Sequence, residues 1–260
     1  PFMPSRTRLN LPIKWETRST AVCTLPLDRV KAIGHARGCT VNEVVLALLG
    51  AALEDYLEGQ GEPIDSPLVA MCPMNIRNED DASATTRVTG VHVRLGEPGC
   101  TIEQRLQQVI DSSHAAKEDV ATLSGAALMG YGVVIFGLWE LLERSGADRY
   151  LAPSYNVLVS NVPGPGDDRL YLRGSRLLAS YPISTLLPGV NLNATLLSHG
   201  NSIDFGLLGD RHALPGLDGV VQRLQYHFEQ LDGELAAKDT RRTASRKKSR
   251  ARPRNTGTGQ

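Results

Sequence analysis

The strongest periodicity in the chain lies in TVNEVVLALLGAALEDYLEGQG, residues 40–61. Val41, Val45, Leu48, Leu49, Ala52 and Tyr56 recur at helical spacing, and Val44, Leu46 and Leu53 widen the stripe. Thr40 stands three residues before Glu43, the signature of a capping box. Gly59 or Gly61 is placed to end the helix. Upstream, residues 1–19 read as an extended segment anchored by Leu9, Leu11, Ile13 and Trp15. Residues 20–27 have strand composition, and 27–38 read as a short helix closed by Gly38. PLVAMCPMNI (67–76) is a continuous apolar run, as in a strand covered on both faces. Pro73 has no N–H to give a ladder, so a strand is expected to end or bulge there, leaving Asn75 and Arg77 on the exit loop. Residues 86–95 form another expected strand, and 102–118 an amphipathic helix through Ile102, Leu106, Val109 and Ile110.

Residues 121–139 carry no charge, which meets the length of a membrane span. Their four glycines and flanking acids favour a buried or groove-lining helix instead. The last third reads as strands at 154–162, about 169–181, 190–198 and 202–208, with HGNS as a hairpin turn. In VNLNATLLS, Val190, Leu192, Ala194 and Leu196 alternate with Asn191, Asn193 and Thr195. One face then meets a core and the other meets water or a polar channel. A final helix spans about 216–235, with Leu217, Val220, Val221, Leu224, Phe228 and Leu231 on one face. No internal repeat is visible. The expected fold is α/β (α+β), a mixed sheet flanked by helices, with one domain over 20–236 between the extended segment 1–19 and a tail at 237–260.

The net charge of zero hides a division. From Lys238 onward there are nine Lys/Arg and one acid, leaving 19 basic against 27 acidic residues before it. The tail is expected to be disordered and to meet anionic membrane or lipid-droplet surfaces. Nucleic acid is disfavoured, because the body has no basic aromatic pattern. Cys23, Cys39, Cys72 and Cys100 form no C-x-x-C and lack a histidine at metal-ligand spacing. They read as reduced thiols in a cytoplasmic protein peripheral to membrane or lipid inclusions. No metal and no cofactor are implied. A chain beginning with Pro1 reads as a processed or truncated piece.

No Walker loop, dinucleotide fingerprint, zincin motif or nucleophile elbow is present. The histidines His35, His92, His114, His199, His212 and His227 are scattered, with His212, beside Gly-Asp-Arg, the foremost among them. What stands out is SNVPGP at 160–165, a strand ending in two small polar residues on a rigid exit. Rigid connection and pocket wall are equally good readings of it.

SNVPGP, TVNEVVLALLGAALEDYL (40–57), PMNIR (73–77), LYLRGSRLLASYPIS (170–184) and LNATLLSHGNSIDFGLLGDRHALP (192–215) occur in the order seen in bacterial wax ester synthase/diacylglycerol acyltransferases. The chain resembles the C-terminal half of that family over about residues 1–235. The resemblance implies a chloramphenicol acetyltransferase-like lobe, one half of a two-lobe enzyme with a tunnel between the lobes. It implies acyl-CoA as donor substrate and diacylglycerol or a fatty alcohol as acceptor. A histidine would deprotonate the hydroxyl that attacks the thioester. The family's signature, two adjacent histidines followed by Asp-Gly, belongs to the N-terminal half, and no His-His pair occurs in this chain. That missing half is the expected partner. Where the family usually has Asn-Asp, this chain has Asn42-Glu43. Glu43 is accounted for by the cap, so Asn42 is the candidate aimed at the tunnel. Ser160 and Asn161 would orient the thioester or its developing oxyanion. Arg77 would meet a CoA phosphate or pair with the acidic body. Asn191 and Asn193 would line the tunnel or pair within the sheet. The alternative is a non-catalytic lipid-binding or scaffold relative.

Overall fold

A computed structural model describes residues 4–14, 17–75, 88–121, 137, 141, 145, 153–166 and 170–250. The elements are β1 (Arg18–Pro26), α1 (Leu27–Arg37), α2 (Val41–Gly59), β2 (Val69–Asn75), β3 (Val88–Arg94), α3 (Ile102–Ala121), β4 (Val157–Pro163), β5 (Tyr171–Leu172), β6 (Ser175–Arg176), β7 (Leu192–His199), β8 (Ser202–Asp210) and α4 (Asp218–Arg250). Eight strands form two sheets among the described residues. The larger has the order β1-β8-β7-β4-β2-β3, and β5 with β6 form a separate hairpin. β4 runs parallel to β7 and to β2, and the other pairs are antiparallel.

Alternation sets the layers. Ala21, Cys23 and Leu25 of β1, Val157 and Val159 of β4, Leu192, Ala194 and Leu196 of β7, and Ile203, Phe205 and Leu207 of β8 are buried in one core. The same core holds Val30 and Ile33 of α1, Val44 to Leu49 of α2, Leu106 and Val109 of α3, and Val220, Leu224 and Leu231 of α4. All four helices therefore pack on one face of the sheet. The other face is crossed by the irregular chain around Pro182, which passes so close to β8 that a Cβ on Gly206 would lie 1.9 Å from the Pro182 carbonyl oxygen. The leading segment closes the end of the sheet where β4 and β7 begin, with Asn10 donating to the carbonyls of Tyr155 and Gly189.

α2 begins as its sequence dictates. Thr40 accepts from the Glu43 amide at 3.4 Å, and Glu43 accepts from the Thr40 amide at 2.8 Å. α1 ends on Gly38 at φ 67°. Leu9 is fully buried, whereas Leu11 is 45% exposed, so only the first of these two anchors the leading segment.

Three expectations are corrected. β2 runs through Pro73 to Asn75. Its pairing with β4 stops at Ala70 and Met71, so from there it bonds only β3 and the missing N–H costs less. The stretch 169–181 is not one strand. It holds the two-residue pair β5 and β6, turned through Arg173 (φ 50°) and Gly174 (φ 84°), and then irregular chain. The tail is helical to Arg250 instead of disordered from 237. Ala, Lys and Arg dominate that stretch and are strong helix formers. No single described helix is long and apolar enough to cross a membrane. The uncharged stretch 121–139 lies outside the described residues except at Ala121 and Gly137.

Candidate functional site at the parallel strand ends

The parallel strands β2, β4 and β7 finish at one end of the sheet. β1 reaches that end at Pro26, opposite Ser202 at the start of β8. α2 and α3 run antiparallel, joined by Glu43 to Lys117 at one end and Glu54 to Arg105 at the other. Because α3 follows the far end of β3, this places the N-terminus of α2 at the same end as β4 and β7. β2 and β4 are joined by the pairs Ala70 with Val157 and Met71 with Leu158, and just before them the Asn156 amide donates to the Val69 carbonyl and the Val69 amide to Asn156 Oδ1. Beyond them each strand has an unbonded edge toward the other. Open α/β sheets bind ligands at such crevices beyond parallel strand ends.

SNVPGP is built into this end. β4 continues through Pro163, paired residue by residue with β7 as far as Ser198. Gly164 then lies against β7: a Cβ there would sit 2.1 Å from the Ser198 carbonyl oxygen. The Gly164 amide donates to Ser198 Oγ at 3.4 Å, and the Gly200 amide to the Pro165 carbonyl at 3.4 Å. The motif is a clamp that fixes the end of β4 on β7.

Asn42 lies in the first turn of α2, half-buried, with no hydrogen-bond partner for its carboxamide among the described residues. Ser160 is half-buried and Asn161 exposed, and neither side chain has a partner among the described residues. Strand alternation separates them. Asn161 follows Val157 and Val159 on the helix-bearing face, while Ser160 is on the opposite face beside Thr195. Asn42 and Asn161 thus share one face and one end, and Ser160 does not. Asn191 and Asn193 are buried and committed to backbone. Asn191 Nδ2 donates to the carbonyls of Arg8 (3.0 Å) and Leu11 (2.8 Å), and Asn193 Nδ2 to that of Thr185 (2.8 Å). Arg77 lies outside the described residues.

Glu43 does more than cap. It is fully buried, and its Oε1 accepts from Ser113 Oγ and Lys117 Nζ, both at 2.9 Å. Burial alone would raise its carboxyl, but the hydrogen bonds from Thr40, Lys117 and Ser113 outweigh this and hold it at about 2. The capping reading missed these partners because they lie some seventy residues away on α3. A second cluster was also missed. His199 Nε2 lies 2.9 Å from Asp204 Oδ2 and 3.1 Å from Ser202 Oγ. Fully buried Asp204 also accepts from Thr24 Oγ1 (2.7 Å) and the Ser180 amide (2.6 Å). The turn HGNS was a usable signal: it sets His199 opposite Ser202, and the strand period then brings Asp204 to the same face. His212, foremost in the sequence, is exposed at the surface. Burial pushes the Cys72 and Cys23 thiols up to about 12, with the Asp204 charge adding to the shift at Cys23, so both are poor nucleophiles. Among the described residues no cluster of His, Cys, Asp and Glu has metal-binding geometry.

The fold is shared with domains that differ widely in sequence. The epimerization domain of tyrocidine synthetase B matches 92% of this chain and 53% of its own at TM-score 0.56 and 14% identity. A much nearer likeness is the wax ester synthase/diacylglycerol acyltransferase of Marinobacter aquaeolei VT8, with TM-score 0.77 and 29% identity over 90% of this chain and 53% of that one. In sequence, the WS/DGAT C-terminal domain matches residues 86–232, and the wax ester synthase/diacylglycerol acyltransferase catalytic domain matches residues 1–45. The chain belongs to the WS/DGAT acyltransferase family. A putative diacylglycerol O-acyltransferase of Mycobacterium tuberculosis is 36% identical over 85% of this chain and 44% of its own length. The O-acyltransferase WSD of Acinetobacter baylyi is 32% identical over 88% of this chain and 49% of its own. The chain spans about half the length of these curated relatives.

Proposed function

We propose that these residues form the second lobe of a long-chain O-acyltransferase, which moves a fatty acyl group from acyl-CoA to diacylglycerol or a fatty alcohol. The carrying observation is the coverage: about nine-tenths of this chain aligns with about half of the Marinobacter enzyme. No adjacent histidine pair occurs in the 260 residues, so the general base comes from the other half of the relatives' length. The acceptor hydroxyl gives its proton to that base while its oxygen attacks the thioester carbonyl. The CoA thiolate leaves and takes the proton back. Asn42 and Asn161, carboxamides on one face at one end of the sheet and without partners among the described residues, are the donors we assign to the thioester oxygen. Glu43 holds the turn that carries Asn42.

The lack of a histidine pair also favours a second reading, a non-catalytic lipid-binding relative. Acyl transfer from a long-chain acyl-CoA to diacylglycerol and to a fatty alcohol separates the two. The chain alone is expected at background, since a missing base removes on the order of 10²–10⁴-fold. Adding the His-His…Asp-Gly half of a relative should restore turnover. Robust turnover by the chain alone, or none in any pairing, would reject the proposal.

A further inference from the structure

The β5–β6 hairpin has no role in the reading above. It stands apart from the six-stranded sheet, and all six residues from Tyr171 to Arg176 are exposed. Tyr171 is 62% and Leu172 76% exposed, and Leu178, just past the root, is 81% exposed. Its root is tied by the Leu177 amide donating to the Leu170 carbonyl at 2.7 Å. Its turn, Arg173-Gly174, has positive φ at both central residues, the form that matches the twist of paired strands. The hairpin is therefore well formed, yet a two-stranded hairpin with no packed face is at best marginal in water.

Cross-strand register decides what covers it. Tyr171 pairs with Arg176 and Leu172 with Ser175, so an apolar side chain projects from each face. A lipid interface takes up apolar side chains on both faces of such a tip at once. The tip is basic as well. Arg173 stands in the turn and no acidic residue occurs from Leu170 to Ile203, while Asp167 and Asp168 precede the root in sequence. Three residues at about 3.3 Å each give the hairpin a reach of about 10 Å. That matches the depth of roughly 5–10 Å at which interfacial elements seat apolar side chains.

We infer that the β5–β6 hairpin is a membrane-seating tip, placing Leu172 and Tyr171 in the acyl boundary of an anionic lipid surface with Arg173 at its headgroups. This is a different element from the basic tail, and it stands whether or not the acyl-transfer reading holds. The test uses the full chain with vesicles of phosphatidylcholine alone or mixed with phosphatidylglycerol. Leu172→Asp should weaken partitioning about tenfold on both. Arg173→Asn keeps the turn, since Asn-Gly is its favoured sequence. It should weaken partitioning about fivefold on the mixed vesicles only. Leu172→Trp should be quenched by brominated phosphatidylcholine, over the background of Trp15 and Trp139. Circular dichroism checks that each variant is folded. No vesicle binding, or binding with Leu172→Trp left unquenched and Leu172→Asp without effect, would overturn the inference. So would burial of the Trp reporter only when a second protein chain is added.

Discussion

Replacing Glu43 by Gln removes one charge from a fully buried carboxylate and keeps its shape. The folded protein holds that carboxyl at about 2 against an ordinary 4.5. The depression corresponds to about 3 kcal/mol favouring the charged form in the folded state. A depressed carboxyl stabilises the fold above its unfolded value and loses that stabilisation as pH falls through the folded one. At pH 7 the full difference operates, so Glu43→Gln should cost about 3 kcal/mol. That exceeds the roughly 0.5–2 kcal/mol of a helix cap alone. Below pH 4.5 the parent begins to protonate on unfolding, and the gap should narrow by about 1 kcal/mol over the first unit. Urea melts of both proteins at pH 7 and near pH 3.5 measure it directly. A gap under about 1 kcal/mol at pH 7, or one that does not change between the two pH values, would refute the reasoning and return Glu43 to the role of an ordinary cap.

Gly164→Ala should destabilise by about 1–3 kcal/mol in melts, because a Cβ would lie 2.1 Å from the Ser198 carbonyl oxygen. Asn42→Ala, combined with the histidine-bearing half, should lower kcat while leaving Tm within about 2 °C, since the carboxamide has no partner among the described residues. Deleting 238–260 should leave turnover on soluble substrate unchanged and weaken binding to anionic vesicles at low salt. Nine basic residues at about 1 kcal/mol each near the surface set an upper bound, and salt should erase the difference.

Local rules were legible where they were local. Thr40 and Glu43 announced their capping box, Gly38 its left-handed cap, and HGNS its hairpin, because each depends on residues a few positions apart. What was hidden depended on distant partners. Alternation at Asn191 and Asn193 gave a polar face, but could not say that the carbonyls of Arg8, Leu11 and Thr185 would occupy it instead of water. Ser160 and Asn161 looked like a pair because they are adjacent, although the strand period separates them. The passage of β2 through Pro73 turned on how far β4 stays beside it.

That short contact between β2 and β4 has a mechanical meaning. Ala70 with Val157, Met71 with Leu158 and the bonds between Val69 and Asn156 tie β2 and β3 to the other four strands of the larger sheet. The helix layer spans the same join: Glu43 with Lys117 and Glu54 with Arg105 fasten α3, which packs on β3, to α2. The two parts of the sheet are thus held in one piece by helices laid across the seam, much as a batten holds two boards, and the strength of that seam rests on the α2–α3 contact as well as on strand pairing.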